Sequence, residues 1–147
     1  GVIGHSHGGS NAMLAMGMDA RISACVSNCG MSVISEEEKC LEWSAEDEYI
    51  YFPTLRKYLL EKQELPFDLN EVAALIAPRP WCNISAYYDV TLGNQEFLAK
   101  VGVQLTQLYK VFGKQNNFCF FMHGNDHSFP KYSRSLAYAW LDRFLMR

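Results

Sequence analysis

A Gly-x-Ser-x-Gly run stands near the start of the sequence as Gly4-His5-Ser6-His7-Gly8, and it constrains the fold more than any other feature. An apolar stub, Gly1-Val2-Ile3, precedes it. A small-residue, helix-forming run, Gly9-Ser10-Asn11-Ala12-Met13-Leu14-Ala15-Met16, follows. That context reads as strand, sharp turn, helix. A serine in such a turn is held in strained backbone geometry at a helix N-terminus, with its hydroxyl lifted clear of the sheet. Glycine is expected on either side because side chains there would clash. Gly8, Gly9, Ser10 and Ala12 suit a helix that begins crowded against a sheet. A glycine-rich turn with a capping serine would also fit the five residues. The apolar lead and the helical run favour the strained turn.

A chain of 147 residues has the length of one domain, and 49% hydrophobic with 14% aromatic residues furnish a sizeable core. The net charge of −3 gives no basis for nucleic acid or an anionic membrane as partner. No apolar run nears the roughly 18 residues of a spanning helix. A serine turn of this kind ordinarily follows several strands. The sequence therefore reads as the C-terminal part of a longer protein, with no initiator Met, signal peptide or transit segment at its start. The upstream strands would complete the sheet and one wall of the site. The first strand is then an expected edge, through which the chain alone would self-associate if it does not prove poorly stable.

The cysteines are Cys25, Cys29, Cys40, Cys82 and Cys119, an odd number with no CxxC or Cys/His metal spacing. Cys25, Cys82 and Cys119 lie in apolar strand-like runs and read as buried thiols, which favours a reducing compartment. No metal or other cofactor is called for.

Beyond the first helix the pattern alternates. Residues 21–28 read as a short buried strand, and Cys29-Gly30-Met31 turns away from its end. Residues 31–70 differ in character, with ten acids and four bases, plus Trp43, Tyr49, Tyr51, Phe52 and Tyr58. They read as a helical insertion whose acids form a solvated face. The other reading of this stretch is a cap whose aromatics line a substrate pocket. A short helix over 69–76 stops at Ala77-Pro78-Arg79-Pro80, because proline disfavours helix in the residue before it. Residues 81–86 form the next strand, ending in Tyr87-Tyr88-Asp89. Asn94 caps a helix with apolar positions at Phe97, Leu98, Val101, Leu105, Leu108 and Phe112, and Gly113 closes it. Residues 117–122 are the last strand. A loop through His127 leads to a final helix with Leu136, Ala137, Trp140, Leu141, Phe144 and Leu145 on one face. Strands alternating with helices imply an α/β fold, a mostly parallel sheet flanked by helices.

Serine alone is a poor nucleophile. It needs a base to take its proton and a carboxylate to orient that base. In this architecture the partners follow in the order serine, acid, histidine, each in a loop at the carboxyl edge of the sheet. Asp89 follows the strand 81–86, and His127 follows the strand 117–122. Ser6, Asp89 and His127 are therefore the candidate catalytic set. The backbone N–H of His7 is the candidate oxyanion donor. A second donor would come from upstream sequence.

At this point the chain resembles the α/β-hydrolase superfamily, and more narrowly the esterase branch of acetyl xylan esterases and dienelactone-hydrolase-like proteins. The matching pieces are Gly4-His5-Ser6-His7-Gly8-Gly9, Asp19-Ala20-Arg21-Ile22, Ala77-Pro78-Arg79-Pro80, and the ending Asp126-His127-Ser128-Phe129-Pro130 with Ala139-Trp140-Leu141-Asp142-Arg143-Phe144-Leu145. The resemblance implies the C-terminal portion of an α/β-hydrolase fold. It also implies a serine esterase that cleaves small-molecule carboxylic esters through an acyl-enzyme. Two features depart from it. Such families often carry Gly-Glu-x-Asp around the acid, where this chain has Ala86-Tyr87-Tyr88-Asp89, and the acidic stretch 31–70 has no counterpart.

His123 lies at a strand end, which suits a structural role better than that of base. His5 and His7 flank Ser6 with diverging side chains, and read as locally packed. Asp126 adjoins His127 and so is poorly placed to meet it side-on. Cys29 could border the pocket, but a buried inert thiol is the stronger reading. The same layout serves prolyl-oligopeptidase-like peptidases, and a binding scaffold could retain the serine turn. The presence of all three of Ser6, Asp89 and His127 argues against the scaffold.

Overall fold

A computed structural model describes residues 1–36, 40–44 and 51–146. Strand β1 (Val2–His5) runs directly into helix α1 (His7–Met18), then β2 (Cys25–Asn28). Short helical pieces follow: a 3-10 turn at Ile34–Glu36, α2 (Cys40–Trp43), a second 3-10 turn at Pro53–Leu55, α3 (Arg56–Leu60) and α4 (Leu69–Ala74). Strand β3 (Trp81–Ala86), α5 (Gln95–Val111), β4 (Phe118–His123) and α6 (Lys131–Leu145) complete the order, with a 3-10 turn at Gln115–Asn117 before β4.

The four strands are parallel and lie side by side in chain order, β1-β2-β3-β4. The register sets Val2 beside Cys25, Cys25 beside Trp81, and Trp81 beside Phe118. Because side chains alternate across a strand, neighbouring residues feed different cores. Cys25 and Trp81 join α1, α4 and α5 in the larger core, with Met13, Met16, Ala73, Leu98, Val101 and Leu105. Val26, Cys82 and Ile84 face the other way, onto Ala137 and Trp140 of α6. This is a parallel sheet covered on both sides, as the alternation predicts. Cys25, Cys29, Cys40 and Cys82 are buried and Cys119 is half-buried. Among the described residues, no helix is long and apolar enough to cross a membrane.

Two of the short motifs have structural jobs. Arg79 reaches from the Pro-rich turn to the end of α1, where its guanidinium donates to Asp19 O (2.9 Å), Ile22 O (3.1 Å) and Met16 O. Met16 O lies in the last turn of α1, where carbonyls lack intrahelical partners, and the other two lie in the turn that follows. Asp19 and Arg21 form an exposed ion pair in that turn. The helix expected over 69–76 is regular only to Ala74, and successive turns carry the chain to Arg79.

The acidic stretch 31–70 falls partly outside the described residues, at 37–39 and 45–50. Within the rest, Asp68 departs from a solvated face. It is 9% exposed, and its carboxylate accepts from Ile34 N (2.7 Å), Ser35 N (2.9 Å) and Leu69 N (2.6 Å). Glu71 completes a capping box by accepting from Asp68 N at 2.8 Å. A residue that looked like surface charge instead fastens the start of α4 to the chain leaving β2.

Candidate active site

Ser6 occupies the turn between β1 and α1 with φ 57° and ψ −128°, left-handed backbone that costs a side chain strain. Its N–H donates to Asn28 O at 2.9 Å, and its carbonyl accepts from Gly9 N (2.8 Å) and Ser10 N (3.0 Å). Helix α1 can lie this close to the sheet only where side chains are missing. A β-carbon at Gly4 would stand 2.0 Å from Gly8 O, and one at Gly9 would stand 2.7 Å from Asn28 O. Gly8, by contrast, would meet nothing within 4 Å. The crowding expected there falls on Gly9, and on Gly30, whose β-carbon would stand 2.3 Å from Gly9 C. The sequence shows Gly30 only as part of a turn, because its constraint comes from the first turn of α1 and not from its own turn.

The loops after β3 and β4 converge on the serine. His127 Nε2 lies 2.8 Å from Ser6 Oγ, and His127 Nδ1 lies 2.8 Å from Asp89 Oδ2. A carboxylate only accepts, so Nδ1 carries the hydrogen and Nε2 presents its lone pair to the serine hydroxyl. Asp89 is itself fixed. Its Oδ1 accepts from Thr91 N and Leu92 N, both at 2.9 Å, and its side chain is 1% exposed against 18% for His127. The N–H of His7, the first residue of α1, has no carbonyl in the preceding turn to bond to.

The loop bearing His127 is pinned from β2. Asn28 Nδ2 donates to Ser128 O at 3.0 Å, and the Cys29 thiol donates to the same oxygen at 3.6 Å. Asn28 is fully buried, and the sequence gives only a faint sign of it, a polar residue at the end of an apolar strand. Asn28 Nδ2 also lies 2.7 Å from His5 Nδ1, which must accept. Burial, and then the nearby His127, hold the His5 pKa below the usual imidazole value. The His5 ring sits 4.9 Å from that of His127 and stacks on Phe129.

The other rivals lie apart from this chain of bonds. His7 packs on Tyr51 with ring centroids 4.4 Å apart. His123 is buried at the end of β4 between Phe121 and Tyr132, and its Nδ1 accepts from Asn125 N. Burial lowers its pKa. Asp126 is exposed. A cavity of about 460 Å³ opens beside Ser6, lined by His7, Asn11, Leu14, Tyr51, Phe52 and Leu92 among others. Tyr51 and Phe52 come from the acidic stretch; Tyr49 and the Trp43 side chain lie outside the described residues, and Tyr58 packs on the larger core.

No family model matches the sequence. The curated protein "Putative hydrolase YtaP" of Bacillus subtilis (strain 168) is 31% identical over 109 residues, which are 74% of this chain and 33% of that protein. Among solved structures, a carbohydrate esterase family 15 glucuronoyl esterase from Caldicellulosiruptor kristjansonii superposes with a TM-score of 0.78 at 20% identity, over 99% of this chain and 42% of its own. A glucuronoyl esterase from Sporotrichum thermophile gives 0.77 at 21% identity, over 99% and 43%. Methylesterase BT1017 gives 0.64 at 20% identity, over 95% and 28%. The chain thus spans about a third of the curated relative and about two-fifths of the glucuronoyl esterases. Its four-stranded parallel sheet and flanking helices, superposed over 99% of this chain and 42% of the Caldicellulosiruptor kristjansonii esterase, match part of the α/β-hydrolase fold.

Proposed function

We propose that the chain carries the catalytic residues of a serine hydrolase that cleaves carboxylic esters of small molecules through an acyl-enzyme. The observation that carries the reading is the unbroken line Ser6 Oγ, His127 imidazole, Asp89 carboxylate, joined by two contacts of 2.8 Å. His127 Nε2 takes the hydroxyl proton as Ser6 Oγ attacks the ester carbonyl. Asp89 holds the tautomer and steadies the imidazolium. The N–H of His7 donates to the developing oxyanion at the helix N-terminus. His127 then returns the proton to the departing alkoxide, leaving an acyl-Ser6 ester. Water, activated by the same imidazole, releases the acid. The esterase neighbours and the curated relative support the ester substrate class.

A fluorophosphonate probe tests this reading on the full-length protein. The expected result is a phosphonyl adduct on Ser6, lost in Ser6→Ala and slowed by about a thousandfold in His127→Ala. A folded protein that stays unlabelled, or one labelled equally well after Ser6→Ala, overturns the proposal.

A further inference from the structure

Cys29 stands one residue beyond β2, beside Ser6 one residue beyond β1, because His5 and Asn28 are register partners. Both residues turn through left-handed backbone, with φ 57° at Ser6 and 46° at Cys29. Strain at a non-glycine residue persists only where surrounding structure enforces it, and it gathers at functional sites. Cys29 is 2% exposed, yet it borders the cavity beside Ser6. Its sulfur, one Asp89 oxygen and one His127 ring nitrogen all lie within 4.8 Å of one another. No sequence spacing could announce this cluster, since its members come from three different strand ends.

We propose that Cys29, Asp89 and His127 form an inhibitory site for a thiophilic divalent cation such as Zn²⁺ or Cd²⁺, reached through the cavity beside Ser6. The inference rests on the reading of His127 as base. A thiolate, an imidazole and a carboxylate are a suitable three-ligand set, with a fourth position left for water. Bonds of about 2.0–2.3 Å in a tetrahedron put ligand atoms roughly 3.3–3.7 Å apart, so pairs standing near the 4.8 Å limit close by about 1 Å on binding while the 2.8 Å Asp89–His127 pair opens. In the resting site Asp89 and His127 hold each other at 2.8 Å, so the cation competes with that bond and does not reinforce it.

The proton balance explains why binding would inhibit. Cysteine binds such a cation as thiolate, so the cation must displace the Cys29 proton. One proton leaves to solvent per cation, and no atom changes oxidation state. The nitrogen facing Asp89 is Nδ1. When its lone pair turns to the cation, the ring hydrogen moves to Nε2. An Nε2–H facing Ser6 donates and cannot accept, so the serine loses its base.

Cadmium titration of the full-length protein tests the site, read by the thiolate-to-cadmium charge-transfer absorption and, in parallel, by phosphonate labelling of Ser6. The expected result is one Cd²⁺ per chain, an absorption band, and labelling slowed by up to about a thousandfold, as in His127→Ala, restored by EDTA. Cys29→Ser and Cys29→Ala should each lose the band and resist Cd²⁺ relative to their own metal-free rates. Absence of the band in the unmodified protein overturns the proposal. So does a band, or an equal sensitivity to Cd²⁺, that survives both substitutions. A Cys29-dependent band in a protein that never labels at Ser6 keeps the cation site and overturns the hydrolase reading instead.

Discussion

Two buried carboxylates organise this molecule, and they do it differently. Asp68 spends its oxygens on the backbone, accepting from Ile34 N, Ser35 N and Leu69 N. Asp89 satisfies Oδ1 with Thr91 N and Leu92 N and keeps Oδ2 for His127. Both sit in loops beside the sheet, and both lie almost out of solvent. Asp68 is a fastener: among the described residues, every partner of its carboxylate is main chain that it holds in place. Asp89 is a fastener with one oxygen reserved for a side chain, and that side chain reaches the strained serine. The difference teaches that a buried acid declares a chemical role by the partner it leaves room for, not by its burial.

The largest expected effect comes from Asp89→Asn. The amide oxygen can still accept from Thr91 and Leu92, so the loop keeps its shape. The amide nitrogen now faces His127 as a donor, and the imidazole must flip its tautomer to meet it. Ester hydrolysis should then fall by about a thousandfold or more in kcat, with the melting temperature nearly unchanged. Steady-state kinetics and a thermal melt on the same preparation check this. A large loss of stability with normal kcat would make Asp89 a second Asp68 and dissolve the contrast.

Asp68→Asn should give the converse. One carboxylate oxygen becomes a donor opposed to a backbone N–H, and the charge-assisted bonds weaken. A loss of about 2 kcal/mol is expected, or roughly 4–8 °C in Tm. The kcat of the folded fraction should hold within about twofold, because the change would move the base by far less than the 1 Å that matters to catalysis. A fall in kcat as deep as that of Asp89→Asn would show that the chain from β2 to α4 shapes the reacting atoms directly.

How much of this was legible follows from the same contrast. The strained turn at Ser6 was readable because its requirements are local: an apolar lead, small residues, and a helix former next. Asp89 and His127 were readable because strand order assigns each a loop at the carboxyl edge. Asp68 was not, since a lone acid in a stretch with ten acids and four bases looks like solvated charge until its three N–H partners are seen. Asn28 and Gly30 were hidden for a related reason. Each is dictated by a segment remote in sequence: Ser128 for Asn28, and the first turn of α1 for Gly30. Gly8 shows the reverse error, because a motif position taken as crowded faces open space.

The smallest expected effect comes from acid, at the Asp89 end. Histidines gather at the Asp89 end. His5 and His123 both have pKa values lowered from the usual 6.5, in each case chiefly by burial. A histidine whose folded pKa is depressed binds its proton more readily in the unfolded chain. Its contribution to stability is therefore complete above the unfolded value of 6.5 and is lost as pH falls through the lower folded value. His5→Gln keeps an acceptor for the Asn28 amide while removing one titrating ring. Between pH 7 and pH 5 the Tm of this variant should fall less than that of the unmodified protein. Parallel melts across that window decide the matter. Equal slopes in the unmodified protein and His5→Gln would mean that this ring protonates as easily folded as unfolded, and that acid does not single out the Asp89 end through His5.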